Sequence, residues 1–426
     1  MNGTTQTRPV GQQSGSRFVK HAESVGRWSA VALGATIPIS TALNNILVPL
    51  FVLAWLASGG YGVKGRQITG TPVALAAIAL FALILIGVTW AADTAEDSWS
   101  MVSKYRDLLL VGLFLWAFRE PRTRIAGLIG FAVAMVVTLV VSCLTFVEIL
   151  PPAIFLGGQA KNPLIYTSSN AMVFKHQVTH SFLMSVAAFL FALAAYHARD
   201  RRWKIIGAVL AGLATANVLL MVQGRTGYLV LAALIVYLFA IRFHWKGLVV
   251  AAVLVSVTGA AAYTLSDTFR GRVALAVQQA QAFDPSKPAD ETSSIGLRLE
   301  YYTNSLAILR EHPLAGVGTG GFAEAYAKQV EGTGRIATKN PHNEYLMIGV
   351  QLGVLGIAAL LALFVVHWVA AARLASPFET HVARGLVLAI AVGCLVNALL
   401  LDHTEGLLYA WLTGLLFGGY RQAERT

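Results

Sequence analysis

The chain has 426 residues, 56% of them hydrophobic and 12% charged, with a mean hydropathy of +0.64. Too few polar residues are present to coat a soluble globule, so lipid must be the solvent. The formal net charge of +11 comes from Lys and Arg in small groups between apolar runs, which excludes a basic nucleic-acid face and points to membrane topology.

Residues 1–26 are rich in Gly, Ser, Gln and Thr and lack an apolar core with a cleavage site, so a disordered cytoplasmic tail is expected and not a signal peptide. Apolar runs follow at 27–40, 43–59, 72–92, 104–118, 124–149, 176–198, 203–222, 226–241 and 246–265, then at 343–371, 384–401 and 405–420. Each crosses or nearly crosses a bilayer, which predicts about twelve spans in an all-α polytopic membrane protein. The first two are short and meet at Ile39-Ser40-Thr41, a place for one kinked or re-entrant element.

Charge sets the expected orientation. Lys64 and Arg66, then Arg119, Arg122 and Arg124, then Arg199, Arg201, Arg202 and Lys204, then Arg242 and Lys246, then Arg373 and Arg384, then Arg421 and Arg425 fall on every second connection. The positive-inside rule places these connections and both termini in the cytoplasm. The alternate connections carry Asp93, Glu96 and Asp97, then residues 266–341, then Asp402 and Glu405. The expected organisation is a tail at 1–26, spans one to nine over 27–265, a large outer loop at 266–341, spans ten to twelve over 342–421, and a short tail at 422–426. The second half of the loop spaces Leu297, Tyr301, Leu306 and Leu309 for an amphipathic helix that caps the outer face.

Polar groups concentrate at that outer boundary. Gln223-Gly224-Arg225-Thr226-Gly227 is so short a connection that Arg225 must sit at the headgroup level, either as a functional cation or snorkelling to lipid phosphate. His312-Pro313-Leu314-Ala315-Gly316-Val317-Gly318-Thr319-Gly320-Gly321 is either an anion-binding nest of N–H groups or a tight turn, and lacks the Lys-Ser/Thr of a P-loop. His342, between Pro341 and Asn343, sits near a helix N-terminus, which keeps imidazole neutral as a general base requires. Lys175, His176 and His180 open another span, but Gln177 stands where a zinc protease needs Glu, leaving helix-start packing as the alternative. Asp93, Glu96 and Asp97 share a face if helical and suit a divalent cation or plain solvation. Cys143 and Cys394 lie inside apolar runs and offer neither metal spacing nor a planned disulfide.

Taken together, Gly224-Arg225-Thr226-Gly227, Arg298 with Tyr301 and Tyr302, the His-Pro-Leu-x-Gly-x-Gly run ending at Phe322, and Pro341-His342-Asn343-Glu344-Tyr345-Leu346 resemble the O-antigen ligase/polymerase superfamily, particularly its ligases. The match runs from about 220 to 350 and departs at Gly224, where the family usually has Ser or Thr. The resemblance implies a GT-C-like fold in the bacterial inner membrane and inverting glycan transfer on the periplasmic face without metal or other cofactor. It implies undecaprenyl pyrophosphate-linked glycan as donor and lipid A-core oligosaccharide as acceptor, with membrane lipids as surroundings. His342 is then the expected catalytic base, and Arg225 and Arg298 hold the pyrophosphate. Lys175, His180, Asn343, Glu344, Tyr345 and Tyr301 are expected supporting residues, with Glu344 or Tyr345 orienting the imidazole. An O-antigen polymerase or a protein O-oligosaccharyltransferase shares the donor; a lipid-linked glycan transporter is the non-enzymatic alternative. The span middles are almost free of charge, which disfavours a carrier.

Overall fold

The computed structural model describes residues 17–91, 95–150, 154–155, 164–165 and 167–420. In the first half run α1 (Arg17–Thr36), α2 (Thr41–Ala57), α3 (Tyr61–Thr69), α4 (Pro72–Ile86), α5 (Ala95–Lys104), α6 (Asp107–Ala117) and α7 (Pro121–Phe146). Two short strands, β1 (Ile154–Phe155) and β2 (Leu164–Ile165), pair antiparallel. Then come α8 (Gln177–His197), α9 (Arg201–Ala216), α10 (Arg225–Phe243), α11 (Trp245–Leu265), α12 (Asp267–Gln281), α13 (Ser294–Glu311) and α14 (Phe322–Val330). The chain ends in α15 (Glu344–Ala370), α16 (Pro377–Gly393) and α17 (His403–Phe417). Local chemistry marks the starts: Pro72, Pro121 and Pro377 open helices where their missing N–H is not needed, and Ser40, Ser293, Asn343 and Ser376 cap others with side-chain oxygens.

Among the described residues seven helices are long and apolar enough to cross a membrane, or eight if the pair Thr41–Ala57 and Tyr61–Thr69, bent by 116°, is one span. The expected twelve-span count is not reached, because several apolar runs make helices short of the roughly 20 residues a bilayer needs. Helix α6 has 11 residues, α16 has 17 and α17 has 15. Helix α17 is buried from Thr404 to Phe417, so its apolar character serves packing inside the bundle and not lipid contact. There the Trp411 indole donates to Ala30 O at 2.7 Å, with Phe118 and Phe131 ringed around it.

Two other expectations shift. Helix α1 begins at Arg17, ten residues inside the expected tail: Arg27 pairs with Glu23 one turn back and with Glu120, so the charges there brace a helix instead of solvating a coil. The break near Ser40 separates two full helices, and the sharp bend falls at Ser58-Gly60. Residues 1–16 and 421–426 lie outside the described residues, and 266–341 hold α12, α13 and α14.

Helix α15 is broken at Gly353, whose φ of 62° is open to glycine and strained for other residues. A break in an apolar helix frees backbone groups that lipid cannot satisfy. The glycine-rich run supplies the partners. Val317 and Gly318 donate to the carbonyls of Val350 and Gln351, both at 2.9 Å, while Val354 donates to Pro313 O at 2.8 Å. Thr319 N bonds Gly87 O at 3.0 Å and Gly320 N bonds Gln351 Oε1 at 2.7 Å. Of the two readings of this run, the tight turn holds: its N–H groups are spent on α4 and α15 and form no anion nest.

A Cβ on Gly353 would lie 2.3 Å from Leu314 C and O. Gly353→Ala is therefore expected to destabilise by about 1–3 kcal/mol, read as a lower melting temperature in detergent. An unchanged melting temperature would show that the turn does not clamp the broken helix.

Candidate active site

His342 stands just ahead of α15 with φ of 54°, a left-handed conformation uncommon for a side-chain-bearing residue. Its neighbours hold it there. The His342 N–H donates to Asn340 Oδ1 at 2.8 Å, and the Tyr302 hydroxyl donates to the His342 carbonyl at 3.1 Å. Asn343 caps α15 through Leu346 N at 3.0 Å, so the imidazole is set beside a rigid helix start.

The ring is fixed by polar chemistry. Nδ1 lies 3.2 Å from Asn397 Oδ1, while Asn397 Nδ2 donates to Asp402 Oδ2 at 3.4 Å. The carboxylate can only accept, which orients the amide; the amide oxygen can only accept, which places the proton on Nδ1. Nε2 keeps its lone pair. Tyr301 stacks against the ring at 6.5 Å between centroids. Burial holds His342 below its ordinary 6.5; the Asn397 bond opposes this and the charge of Arg298 adds to it. Burial likewise pushes Asp402 up to about 6, against the pull of Lys104.

Arg298, one turn into α13, lines the same cavity of about 460 Å³ as His342 and Asn397. Arg225 opens α10 and does not line it; its Nη1 lies 3.5 Å from Ser294 Oγ, one turn before Arg298, and it stands within electrostatic reach of Arg298 and Arg272. None of these three arginines has an ion-pair partner among the described residues. Helices α2, α8 and α17 all begin at the cavity through Thr41, Gln177 and Thr404, and neither α8 nor α17 has a side-chain cap. Unpaired guanidinium groups beside helix N-termini make a site for an anion.

Residues 213–361, which carry Arg225, Arg298 and His342, match the family model described as O-antigen ligase. This match covers about a third of the chain, which is similar there to the O-antigen ligase/polymerase superfamily. Members of that superfamily are glycosyltransferase-like enzymes, ligases and polymerases, and the long apolar helices of this chain make it a multi-pass membrane protein. A chain from the solved structure described as "Structural coordination of polymerization and crosslinking by a peptidoglycan synthase complex" is similar at 17% identity, over 81% of this chain and 95% of that one, with a TM-score of 0.45. No curated protein matches.

In this chain the other expected residues part company. Lys175 Nζ donates to Thr41 Oγ1 at 2.7 Å and Thr404 Oγ1 at 3.2 Å, tying α2 to α17 behind the cavity, and burial pushes it down to about 8 against the pull of Glu405. His180 is buried away from His176: its ring accepts from Val173 N at 3.0 Å and donates to Asn217 Oδ1 at 3.0 Å, so only His176 lines the cavity. Neither Glu344 nor Tyr345 orients the imidazole. Glu344 takes the Tyr105 hydroxyl at 2.5 Å and Leu400 N at 2.9 Å, and Tyr345 donates to Ala391 O at 2.9 Å. Glu96 and Asp97 sit in the first turn of α5, Asp93 lies outside the described residues, and no trio of His, Cys, Asp or Glu among those described is grouped to hold a metal. Asn397, Asp402 and Arg272 were missed. The polar quartet Asp402-His403-Thr404-Glu405 between two apolar runs was the available signal, read only as loop charge.

In histidine-labelled protein, 15N spectra are expected to show His342 as the Nδ1–H tautomer, titrating below 6.5, and as a tautomer mixture in Asn397→Ala. Removing the cation in Arg298→Ala relieves the imidazolium and moves the titration up. A parent ring protonated at Nε2 would overturn this assignment.

Proposed function

We propose that the chain is an O-antigen ligase that moves glycan from undecaprenyl pyrophosphate to the lipid A-core oligosaccharide on the periplasmic face of the bacterial inner membrane. The observation that carries this reading is the juxtaposition, on α13 and its neighbours, of unpaired arginines with a neutral, oriented imidazole. A diphosphate leaving group gains negative charge as its bond to the sugar breaks, and Arg298 and Arg225 present planar forks that match phosphate oxygens.

The acceptor hydroxyl gives its proton to His342 Nε2 as its oxygen attacks the anomeric carbon. The anomeric C–O bond breaks on the opposite face, and its electron pair leaves with the diphosphate. One displacement inverts the anomeric configuration. An apolar groove of about 310 Å³ lined by Leu231 and Leu234 of α10 is large enough for a few isoprene units of the polyprenyl tail. Leu231 lies six residues below Arg225 on α10, about 9 Å along the helix axis.

The purified chain, given lipid-linked glycan and lipid A-core in excess EDTA, is expected to join them. His342→Ala should slow transfer by about 10²–10⁴-fold and Arg298→Ala by about 10²–10³-fold. Activity should fall as pH drops through a value below 6.5, because protonation removes the base. Full activity in both variants would end the assignment; product formed from lipid-linked repeats alone, without core, would make the chain a polymerase.

A further inference from the structure

The transfer chemistry uses Arg298, His342 and Asn397 and leaves two other residues that line the same cavity, His403 and Glu405 from the first turn of α17, without a role. Glu405 is 1% exposed. Its Oε1 has no hydrogen-bond partner among the described residues, and neither has His403 Nε2. Lys175, the nearest cation, is spent on Thr41 and Thr404. A buried carboxylate oxygen with no donor is costly unless a ligand supplies one.

A carboxyl group is a poor partner for a diphosphate, which is met by cations. A hydroxyl group can be that ligand. Glu405 Oε1 accepts from one sugar hydroxyl, and His403 Nε2 pairs with a second hydroxyl or an amide of the same ring. The cavity of about 460 Å³, which Arg298 also lines, is large enough for a hexose ring. We propose that Glu405 and His403 form a sugar-hydroxyl subsite that holds the ring at the point of transfer. This rests on the glycosyl-transfer reading, and the ring comes either from the donor's first sugar or from the acceptor's terminal sugar.

The test compares Glu405→Gln and His403→Gln with the parent, using lipid-linked glycan and lipid A-core, each variant first checked for an unchanged melting temperature. A rise in KM of about tenfold for the donor alone supports the subsite and assigns it to the donor sugar; the same rise for the core alone assigns it to the acceptor. If neither KM moves in the variant that keeps its fold, or only kcat falls, the proposal is overturned. Should the parent transfer no glycan, the glycosyl-transfer reading fails first, and the subsite is then read from the melting shift each saccharide induces. Loss of that shift in the variants supports the subsite; a shift equal to the parent's overturns it.

Discussion

Three consecutive residues at the start of α15 reach across to the irregular stretch that ends α16 and leads into α17, and the candidate site exists because of those bonds. Asn343 Nδ2 donates to Leu395 O at 2.9 Å, Glu344 accepts Leu400 N at 2.9 Å, and the Tyr345 hydroxyl donates to Ala391 O at 2.9 Å. Glu344 is fully buried, so its carboxyl must be satisfied, and Tyr105 and Leu400 satisfy it. Each such bond contributes only about 0.5–1.5 kcal/mol, but leaving one buried partner unpaired costs about 1–3 kcal/mol. The stitching therefore resists slippage, and it holds Asn397 against the ring of His342 across 55 positions of sequence.

The cavity brings charges of both signs together. Arg298 lines the cavity together with the first residues of α2, α8 and α17, and so do Asp402 and Glu405, while Arg225 stands outside it near Ser294. Charges in a cavity of low dielectric act strongly on one another and on a ligand. Arginines without carboxylate partners keep their full field for an incoming anion, whereas Asp402 is engaged by Asn397 and serves the geometry of the imidazole. Positioning of this kind matters to transfer chemistry, in which small misplacements of the reacting groups are costly.

What could be read from the sequence was local. Arg298, Tyr301 and Tyr302 share one short helix, and His342 sits beside a proline and a helix cap, so spacing alone exposed them. Partners set by tertiary contact were not legible: Asn397 lies in what reads as the tail of an apolar run, and nothing in its neighbours announces the imidazole. Glu344, two residues from His342, invited the wrong pairing, because residues two apart at a helix start point in different directions. The span count suffered for a related reason: hydropathy cannot tell lipid from protein interior, and α17 is apolar because other helices surround it. The glycine-rich run was ambiguous until Gly353 showed which backbone groups it had to satisfy.

The central claim is that Arg298 grips a diphosphate beside a base. Equilibrium binding of a polyprenyl diphosphate lacking any glycan, to the parent chain and to Arg298→Ala of equal melting temperature, reads that grip without turnover. The account predicts binding by the parent, weakened about tenfold or more in the variant. Equal affinity in the two proteins would contradict it.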